Sequence, residues 1–218
     1  MTYYELWQAC REELLSAAVS TLQLALSALA IGLVVGMVVA LLRMSRHRGV
    51  VRLAVAYVEL FRGTPALVQL FILYFGLTAI GIEFSSFQAA TIGLGLNASA
   101  YLSEVYRAGI EAVPKGQFEA AQTIGMTRFK MLRWVVLPQA IRVVLAPIGN
   151  VAISLLKDTS VASLIATPDL MLRAQDLSSV YFMPLETYLI VGALYFALCF
   201  PLSIAVRMLE RKTSRTST

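Results

Sequence analysis

The residues of this sequence that can do chemistry are ionisable and amide side chains that interrupt long apolar stretches. Asn97, Tyr101 and Glu104 follow one another at intervals of four and three residues, at the end of an uncharged stretch, 84–103. This spacing places them on one face of an α-helix. An ionisable side chain inside an apolar helix is costly and is therefore a candidate for function, while interhelical hydrogen bonding is the alternative role. We predict that Asn97 and Glu104 face a binding site or pathway.

A second polar group, Lys157-Asp158-Thr159-Ser160, interrupts an apolar segment that begins near Val143. A rise of about 1.5 Å per residue puts Lys157 roughly 20 Å along this segment, past the middle of a bilayer core of about 30 Å. We predict a functional role for Lys157, Asp158 and Ser160 as a group. The alternative is a local ion pair that neutralises itself.

Thr64, Pro65 and Gln69 form a third polar group. Pro65 lacks an N–H, and it therefore kinks a helix or starts its deeper part, which frees carbonyl groups. We predict that Thr64 and Gln69 face the same pathway. For Gln69 the alternative is a helix–helix hydrogen bond.

None of these groups forms a catalytic constellation. His47 is the single histidine and lies in a basic stretch, and Cys10 and Cys199 match no metal or redox spacing. The sequence also lacks the G-x-x-x-x-G-K-[ST] pattern of ATP-binding loops. We therefore predict no catalytic residue, no metal site and no cofactor.

The elements that position the polar groups are predicted to be membrane-spanning helices. Of the 218 residues, 58% are hydrophobic and 14% charged, with a mean hydropathy of +0.74, whereas a soluble domain carries about 25% charged residues. Apolar stretches of about 20 residues, the length that crosses a bilayer, predict an all-α integral membrane protein with a single domain, 1–218. The predicted spans are 14–42, 57–82, 84–112, 143–166 and 186–207, with 113–142 as a connecting loop.

Basic residues predict the orientation of these spans. They concentrate after the first span, around loop 113–142 and at the C-terminal end: Arg43, Arg46, Arg48, Arg52, Arg107, Lys115, Arg128, Lys130, Arg133, Arg142, Arg207, Arg211, Lys212 and Arg215. The opposite side carries only Arg11 and Arg173. The N-terminus is therefore predicted to lie outside, with the loop and the C-terminus in the cytoplasm. The net charge of +5 comes from these short stretches between apolar segments and does not indicate nucleic acid.

Loop 113–142 is predicted to be helical. Residues 117–124 are rich in good helix formers, and Gly125 is placed to end this helix in the left-handed conformation. Met126-Thr127 is predicted to cap a second short helix, and Leu137-Pro138 to turn the chain back to the membrane. Two short helices at the cytoplasmic face favour docking to a soluble partner. An interfacial amphipathic helix is the alternative.

The loop resembles the EAA loop of permease subunits of ABC importers. Further stretches, from about Leu14 to Arg211, are similar to the polar amino-acid subfamily of these permeases. The matching residues are Glu119-Ala120-Ala121, Gly125 and Leu137-Pro138 in the loop, and elsewhere Phe61-Arg62-Gly63-Thr64-Pro65 with Gln69, Ala100-Tyr101 with Glu104, Arg107 and Gly109-Ile110, Lys115-Gly116-Gln117, and Lys157-Asp158-Thr159-Ser160. The resemblance implies a five-helix type I ABC importer permease core with cytoplasmic coupling helices, in the cytoplasmic (inner) membrane of a bacterium.

The same resemblance implies the partners and the mechanism. The partners are two ABC ATPase subunits, a second permease subunit (identical or paralogous), an extracytoplasmic solute-binding protein and membrane lipid. ATP draws the ATPases together, the coupling helices follow and turn the pathway outward, and hydrolysis resets it. Four loop residues are expected to couple to the ATPase: Glu119, Ala120, Ala121 and Gly125.

A polar amino acid is the substrate that the resemblance implies. Asp158 is expected to meet its ammonium, and Lys157 or Arg62 its carboxylate. Seven residues form the predicted substrate site: Thr64, Gln69, Asn97, Glu104, Lys157, Asp158 and Ser160.

The alternative function is a channel or ion-coupled transporter, which has no need of a docking helix in the loop. The missing catalytic groups argue against a membrane-embedded enzyme.

Overall fold

The computed structural model describes residues 3–214, with side chains up to Arg211, and within them the chain is helical without a strand. Arg215 and the side chain of Lys212, which we counted among the basic residues of the C-terminal end, lie outside this description. The helices are α1 (Tyr3–Arg43), α2 (Arg48–Gly63), α3 (Ala66–Phe71), α4 (Ser86–Glu111), α5 (Lys115–Thr123), α6 (Arg128–Met131), α7 (Leu137–Asp158), α8 (Leu170–Tyr181) and α9 (Pro184–Ser214). Two π-helical turns, Ile72–Gly76 and Leu132–Val136, extend α3 and join α6 to α7, and a 3-10 helix, Thr159–Ile165, continues α7.

Among the described residues, three helical stretches are long and apolar enough to cross a membrane: Tyr3–Arg43, Arg128–Ile165 and Pro184–Arg211. The pair Arg48–Gly63 and Ala66–Gly76 is a fourth if these helices, bent by 106°, form one span. The predicted span 84–112 corresponds to α4, a 26-residue helix that is less apolar because other helices, rather than lipid, surround much of it. The limits of the five spans stay predictions, since helix ends do not mark membrane surfaces.

Helix α1 is much longer than a bilayer is thick. Its 41 residues correspond to about 60 Å at 1.5 Å per residue, against a hydrocarbon core of about 30 Å. The N-terminal turns, before the predicted start at residue 14, are helical because Leu6, Cys10 and Leu14 pack against α8. This places α8 at one end of the bundle, while α5 follows α4 at the other end.

The predicted kink at Thr64-Pro65 is confirmed. α2 ends at Gly63, Thr64 and Pro65 are extended, and α3 begins at Ala66. α2 begins at Arg48, ahead of the predicted membrane span 57–82, because Ala54 and Val58 give it a buried face beside exposed basic residues. The break leaves backbone carbonyls in the middle of the bundle without hydrogen-bond donors from the helix.

Helix α4 is the centre of the bundle and packs most extensively against α1 and then α7. The contact with α1 is close because both helices carry glycine there. A Cβ on Gly36 would lie 2.9 Å from the Cβ of Leu102, and one on Gly95 would lie 2.8 Å from the Cβ of Ile31. Residues on the remaining faces of α4 are therefore held at fixed positions relative to α2 and α7.

The loop differs from its prediction at one point. α5 and the left-handed Gly125, with φ at 72°, confirm the first helix and its end, and the Thr127 hydroxyl caps α6 through the N–H of Lys130, at 3.4 Å. The turn predicted at Leu137-Pro138 is wrong, because helix runs on from Arg128 to Asp158. The π turn before Pro138, in which the N–H of Leu137 reaches back to the carbonyl of Leu132, accommodates the proline without ending the helix.

Candidate functional site

A cavity of about 680 Å³ opens between the α2–α3 break, α4 and α7. Three predicted site residues line it, Thr64, Asn97 and Asp158. Its polar walls are completed by side chains from the same three elements: Arg62, Tyr101, Asn150 and Ser154. The cavity is large enough for a small polar solute and carries both signs of charge.

Two amide side chains form hydrogen bonds across the α2–α3 break, and we call Gln69 and Asn97 the clamp. The Nε2 of Gln69 donates to the carbonyls of Phe61 and Thr64 at 2.9 and 3.1 Å and to the Thr64 hydroxyl at 2.8 Å. The Nδ2 of Asn97 donates to the Phe61 carbonyl at 2.9 Å and to the Oε1 of Gln69 at 3.1 Å. These bonds satisfy carbonyls that the missing helical turn leaves without partners. The clamp therefore fixes the bend, and Asn97 also reaches the cavity wall.

Arg62 and Asp158, which we call the charged walls, approach the cavity from different helices. Arg62 lies on α2 immediately before the break, and Asp158 is the last residue of α7. The Oδ2 of Asp158 accepts one hydrogen bond, from the hydroxyl of Ser154 at 3.4 Å. A cation and an anion on separate walls can bind a solute that carries both charges.

Two of the predicted residues lie elsewhere. Lys157 lines a separate pocket with Tyr195, Cys199 and Ser203 of α9. The hydroxyl of Ser160 donates to the carbonyl of Lys157 at 2.7 Å, within its own helical turn. Neighbouring residues on a helix point about 100° apart, so Lys157 and Asp158 face different surroundings. The structure does not bring Lys157 or Ser160 to the cavity.

Glu104 lies beside the cavity at the centre of an arginine cluster formed by Arg43, Arg62 and Arg107. Its Oε1 contacts a guanidinium nitrogen of Arg43 at 2.7 Å and one of Arg62 at 3.5 Å. Its Oε2 contacts Arg107 at 2.9 Å, and Arg107 also pairs with Glu111 at 2.7 Å. The carboxylate therefore joins α1, α2 and α4 and does not line the cavity itself.

Sequence reasoning missed two polar residues of the cavity. Asn150 and Ser154 precede Asp158 by eight and four residues and lie on the same face of α7. That spacing was visible in the sequence. Our prediction grouped residues 157–160 because they are adjacent in the chain and did not follow the helical face back from Asp158.

The four predicted coupling residues of the loop are not equivalent. Glu119, Ala120 and Gly125 are exposed on α5 and at its end, whereas Ala121 is 3% exposed. Ile124 and Phe129 stand beside them as large apolar side chains that are 72% and 73% exposed. α5 thus presents a small, partly apolar surface that no described residue covers, and Ala121 holds it against the bundle.

Comparisons with known proteins agree with this architecture. Residues 32–215 match the family described as binding-protein-dependent transport system inner membrane component. The chain is 40% identical over 181 residues to the probable amino-acid ABC transporter permease protein YckA of Bacillus subtilis (strain 168), covering 83% of this chain and 80% of that protein. It is 41% identical over 196 residues to the L-cystine transport system permease protein TcyB of the same organism, covering 89% and 84%. A crystal structure of an amino acid ABC transporter with histidines superposes with a TM-score of 0.92 at 36% identity, covering 97% of this chain and 99% of that chain.

The chain therefore belongs to the family of inner membrane components of binding-protein-dependent transport systems. It is a multi-pass inner-membrane permease subunit of an ABC importer, and the resemblance inferred from the loop motif is confirmed. It works with an ATPase and a solute-binding protein, and it is not itself an enzyme, since ATP hydrolysis belongs to a separate subunit. Nothing in these comparisons supports the channel or ion-coupled transporter that we kept as the alternative.

Proposed function

We propose that this permease translocates polar amino acids through the cavity between α2, α4 and α7. The observation that carries the proposal is the charged walls, with Arg62 and Asp158 on separate helices of one cavity. A free amino acid is a zwitterion whose ammonium suits Asp158 and whose carboxylate suits Arg62. The relatives whose names specify amino-acid transport add support for this substrate class.

The proposal assigns the substrate carboxylate to Arg62 rather than to Lys157. Arg62 faces the cavity, whereas Lys157 faces α9. A guanidinium also presents parallel N–H groups that match the two oxygens of a carboxylate. Asn150 and Ser154 extend the polar wall next to Asp158 and are further candidates for contact with the substrate.

Thr64, Gln69 and Asn97 act mainly on the shape of the site in this proposal. The Thr64 hydroxyl donates to the Leu60 carbonyl at 2.7 Å and accepts from Gln69, so its hydrogen-bonding capacity is largely used. The clamp keeps the α2–α3 break open beside the cavity. Of the three, Asn97 and Thr64 line the cavity and can also contact a solute.

The exposed surface of α5 is proposed to dock in a cleft of the ATPase through Glu119, Ala120 and Gly125, with Ile124 as an apolar contact. In this assembly two permeases, identical or paralogous, pair with two ATPases.

The loop and the C-terminus lie in the cytoplasm, and the N-terminus and α8 lie outside. The basic residues at the α5 end of the bundle support this orientation.

Motion of the docking surface has a direct route to the cavity. Because helix continues from Arg128 through the π turn to Asp158, a displacement at α6 moves α7 as one body. Asp158 lies at the far end of that body. We propose that closure of the ATPases changes the separation of the charged walls in this way and so opens and closes the binding site.

The proposal is tested by uptake into vesicles that contain the whole importer, the permease with its ATPase and its solute-binding protein. A panel of labelled amino acids is offered with and without ATP, together with the α-amide and the N-acetyl derivative of each transported compound. We expect ATP-dependent uptake of at least one polar amino acid and strong rejection of both derivatives. Uptake of none of them, or equal uptake of the derivatives, would contradict the proposed substrate class.

A further inference from the structure

The arginine cluster around Glu104 contains more cationic than anionic side chains. Three guanidinium groups converge on one carboxylate, that of Glu104, and only Arg107 has a second carboxylate partner among the described residues, Glu111. The side chain of Arg43 is 13% exposed, and its Nη1, although 2.7 Å from Glu104, makes no well-directed hydrogen bond. Positive charge is therefore in excess around Glu104.

Arg62 is the most weakly held member of the cluster. Its contact with the Oε1 of Glu104 is 3.5 Å long, compared with 2.7 Å for Arg43 and 2.9 Å for Arg107, and its side chain is 42% exposed. The Cζ of its guanidinium lies over the ring of Tyr101, 5.4 Å from the ring centre, within the range of a cation–π contact. The guanidinium thus contacts Glu104 through its Nη1 and the Tyr101 ring through its π face, while Arg62 lines the cavity.

A guanidinium carries five N–H donors in a fixed plane. In the described structure only the Nη1 of Arg62 contacts a side-chain acceptor, so most of its donors remain for a ligand. Their direction depends on Glu104. Because Arg43 and Arg62 contact the same Oε1 atom, loss of that charge leaves two cations facing each other without an anion between them.

We propose that Glu104 is a positioning residue that holds the guanidinium of Arg62 in the orientation that binds the substrate carboxylate. This inference rests on the proposed function and deepens it by naming the residue that orients Arg62. Glu104 acts through Arg62 and does not touch the substrate. Its place in the site is therefore indirect, unlike the direct contact that its sequence position suggests.

The test measures amino-acid binding to the purified permease–ATPase complex without the solute-binding protein, by equilibrium dialysis with a labelled amino acid that the importer transports. We expect Glu104→Gln to weaken binding about tenfold, because a misdirected guanidinium loses its charged hydrogen bond to the ligand. The α-amide of the same amino acid should bind wild type weakly and should lose little further affinity in Glu104→Gln. This selectivity for the carboxylate would not change if Glu104 only stabilised the fold.

A double-mutant cycle with Arg62→Ala separates positioning from a direct role. If Glu104 acts through Arg62, Glu104→Gln adds no further loss in the Arg62→Ala background. Glu111→Gln is the matched control, since Glu111 pairs with Arg107 but makes no contact with Arg62, and it should bind like wild type. Glu104→Asp keeps the charge and serves if the Gln variant does not assemble; its shorter side chain should weaken binding about threefold.

The results distinguish failure of the positioning role of Glu104 from failure of the amino-acid site itself. Unchanged carboxylate binding in both Glu104 variants, or additive losses in the cycle, would overturn the positioning role while leaving the amino-acid site in place. Failure of the wild-type complex to bind any transported amino acid would instead remove the site in the cavity, and this inference with it.

Discussion

The clamp and the charged walls meet at one cavity, which Asn97, Arg62 and Asp158 line, but they differ in how completely their polar atoms are used. Gln69 is 8% exposed, and its Nε2 donates to the backbone of the break and to the Thr64 hydroxyl. The Nδ2 of Asn97 donates to the Phe61 carbonyl and to the Oε1 of Gln69. Asp158 accepts one hydrogen bond of 3.4 Å, and Arg62 reaches Glu104 at 3.5 Å. The clamp has little capacity left for a ligand, and the charged walls have most of theirs.

This difference separates two uses of polar residues inside a membrane. A polar side chain in a span is costly whichever use it serves, so its presence alone does not reveal its role. Side chains whose partners are all within the protein stabilise a bend. Side chains that keep donors or acceptors towards a cavity are the ones available to a solute. Substitution in the clamp should therefore affect stability, and substitution in the charged walls should affect transport.

Asp158→Asn is expected to have the largest effect on transport. The change keeps the shape of the side chain but removes the charge that we assign to the substrate ammonium, and loss of one partner of such a pair should reduce uptake about 10- to 100-fold. Assembly with the ATPase should be normal, because Ser154 still has a hydrogen-bond acceptor in Asn. Uptake is measured in vesicles at matched protein content. Wild-type uptake by this variant would place Asp158 with the clamp, as a structural residue.

Gln69→Leu is expected to act in the opposite way, on stability. It leaves the Thr64 carbonyl and one N–H of Asn97 without their partners, and buried unsatisfied groups cost about 1–3 kcal/mol each. We expect a loss of about 3 kcal/mol, seen as a lower melting temperature of the purified complex. The selectivity among amino acids of the protein that does assemble should be unchanged.

Thr91→Val is the control for the clamp. Thr91 lies in α4, as Asn97 of the clamp does, and its hydroxyl is buried without a hydrogen-bond partner among the described residues. Valine has nearly the same shape, so removing this hydroxyl should leave the melting temperature unchanged or raise it slightly. Equal destabilisation by Gln69→Leu and Thr91→Val would show that packing, not the hydrogen bonds of the clamp, sets the stability here.

The sequence predicted the helical architecture and the loop well, for identifiable reasons. Apolar stretches of membrane length, the left-handed Gly125 and the cap at Thr127 are local signals, and local signals determine local structure. The turn at Leu137-Pro138 was wrong because the sequence does not reveal a π turn that absorbs a proline. The N-terminal turns of α1 were not foreseen because their stability comes from α8, which is far away in the chain.

The site was predicted less completely than the fold. Thr64, Asn97 and Asp158 line one cavity, but Glu104 lies beside it among three arginines, two of which come from α1 and α2. Helical spacing shows which residues share a face, but it does not show which neighbour that face meets. Lys157 and Ser160 were grouped with Asp158 by adjacency, although rotation of about 100° per residue separates adjacent side chains.

Asp169 is an ionisable residue, like Arg62 and Asp158 of the charged walls, but it is buried, like Gln69 of the clamp. It lies between the helices that can cross the membrane, is 1% exposed and caps α8 through the N–H of Leu172 at 2.8 Å. Burial raises the pKa of this carboxyl from 3.8 to about 6, although hydrogen bonds from Leu172 and from the hydroxyl of Tyr195 oppose the shift. Its other charged neighbours, Glu12, Glu13, Arg173 and Asp176, share a pocket with it.

The raised pKa predicts a stability that falls as the pH rises. Between pH 3.8 and about 6 the folded state binds more protons at Asp169 than the unfolded state, so the free energy of unfolding decreases across this window and stays lower above it. Asp169→Asn keeps an acceptor for the cap and should be more stable than wild type above pH 6 by on the order of 2 kcal/mol. The difference should vanish near pH 4, which a melting series against pH would show. A pH-independent difference would mean that the carboxyl does not titrate in this range.

Lys157→Met is expected to have the smallest effect. It tests whether the residue next to Asp158 in the chain contributes to the cavity. Lys157 precedes Asp158 directly, yet it lines a pocket with Ile153, Phe196 and Cys199 rather than the cavity. Methionine preserves the apolar stem that packs there and removes only the ammonium. Since substitutions away from a binding site usually change free energies by no more than about 0.5 kcal/mol, uptake of every transported amino acid should stay within about twofold of wild type. A tenfold loss of uptake with normal assembly would make Lys157, in place of Arg62, the group that binds the substrate carboxylate.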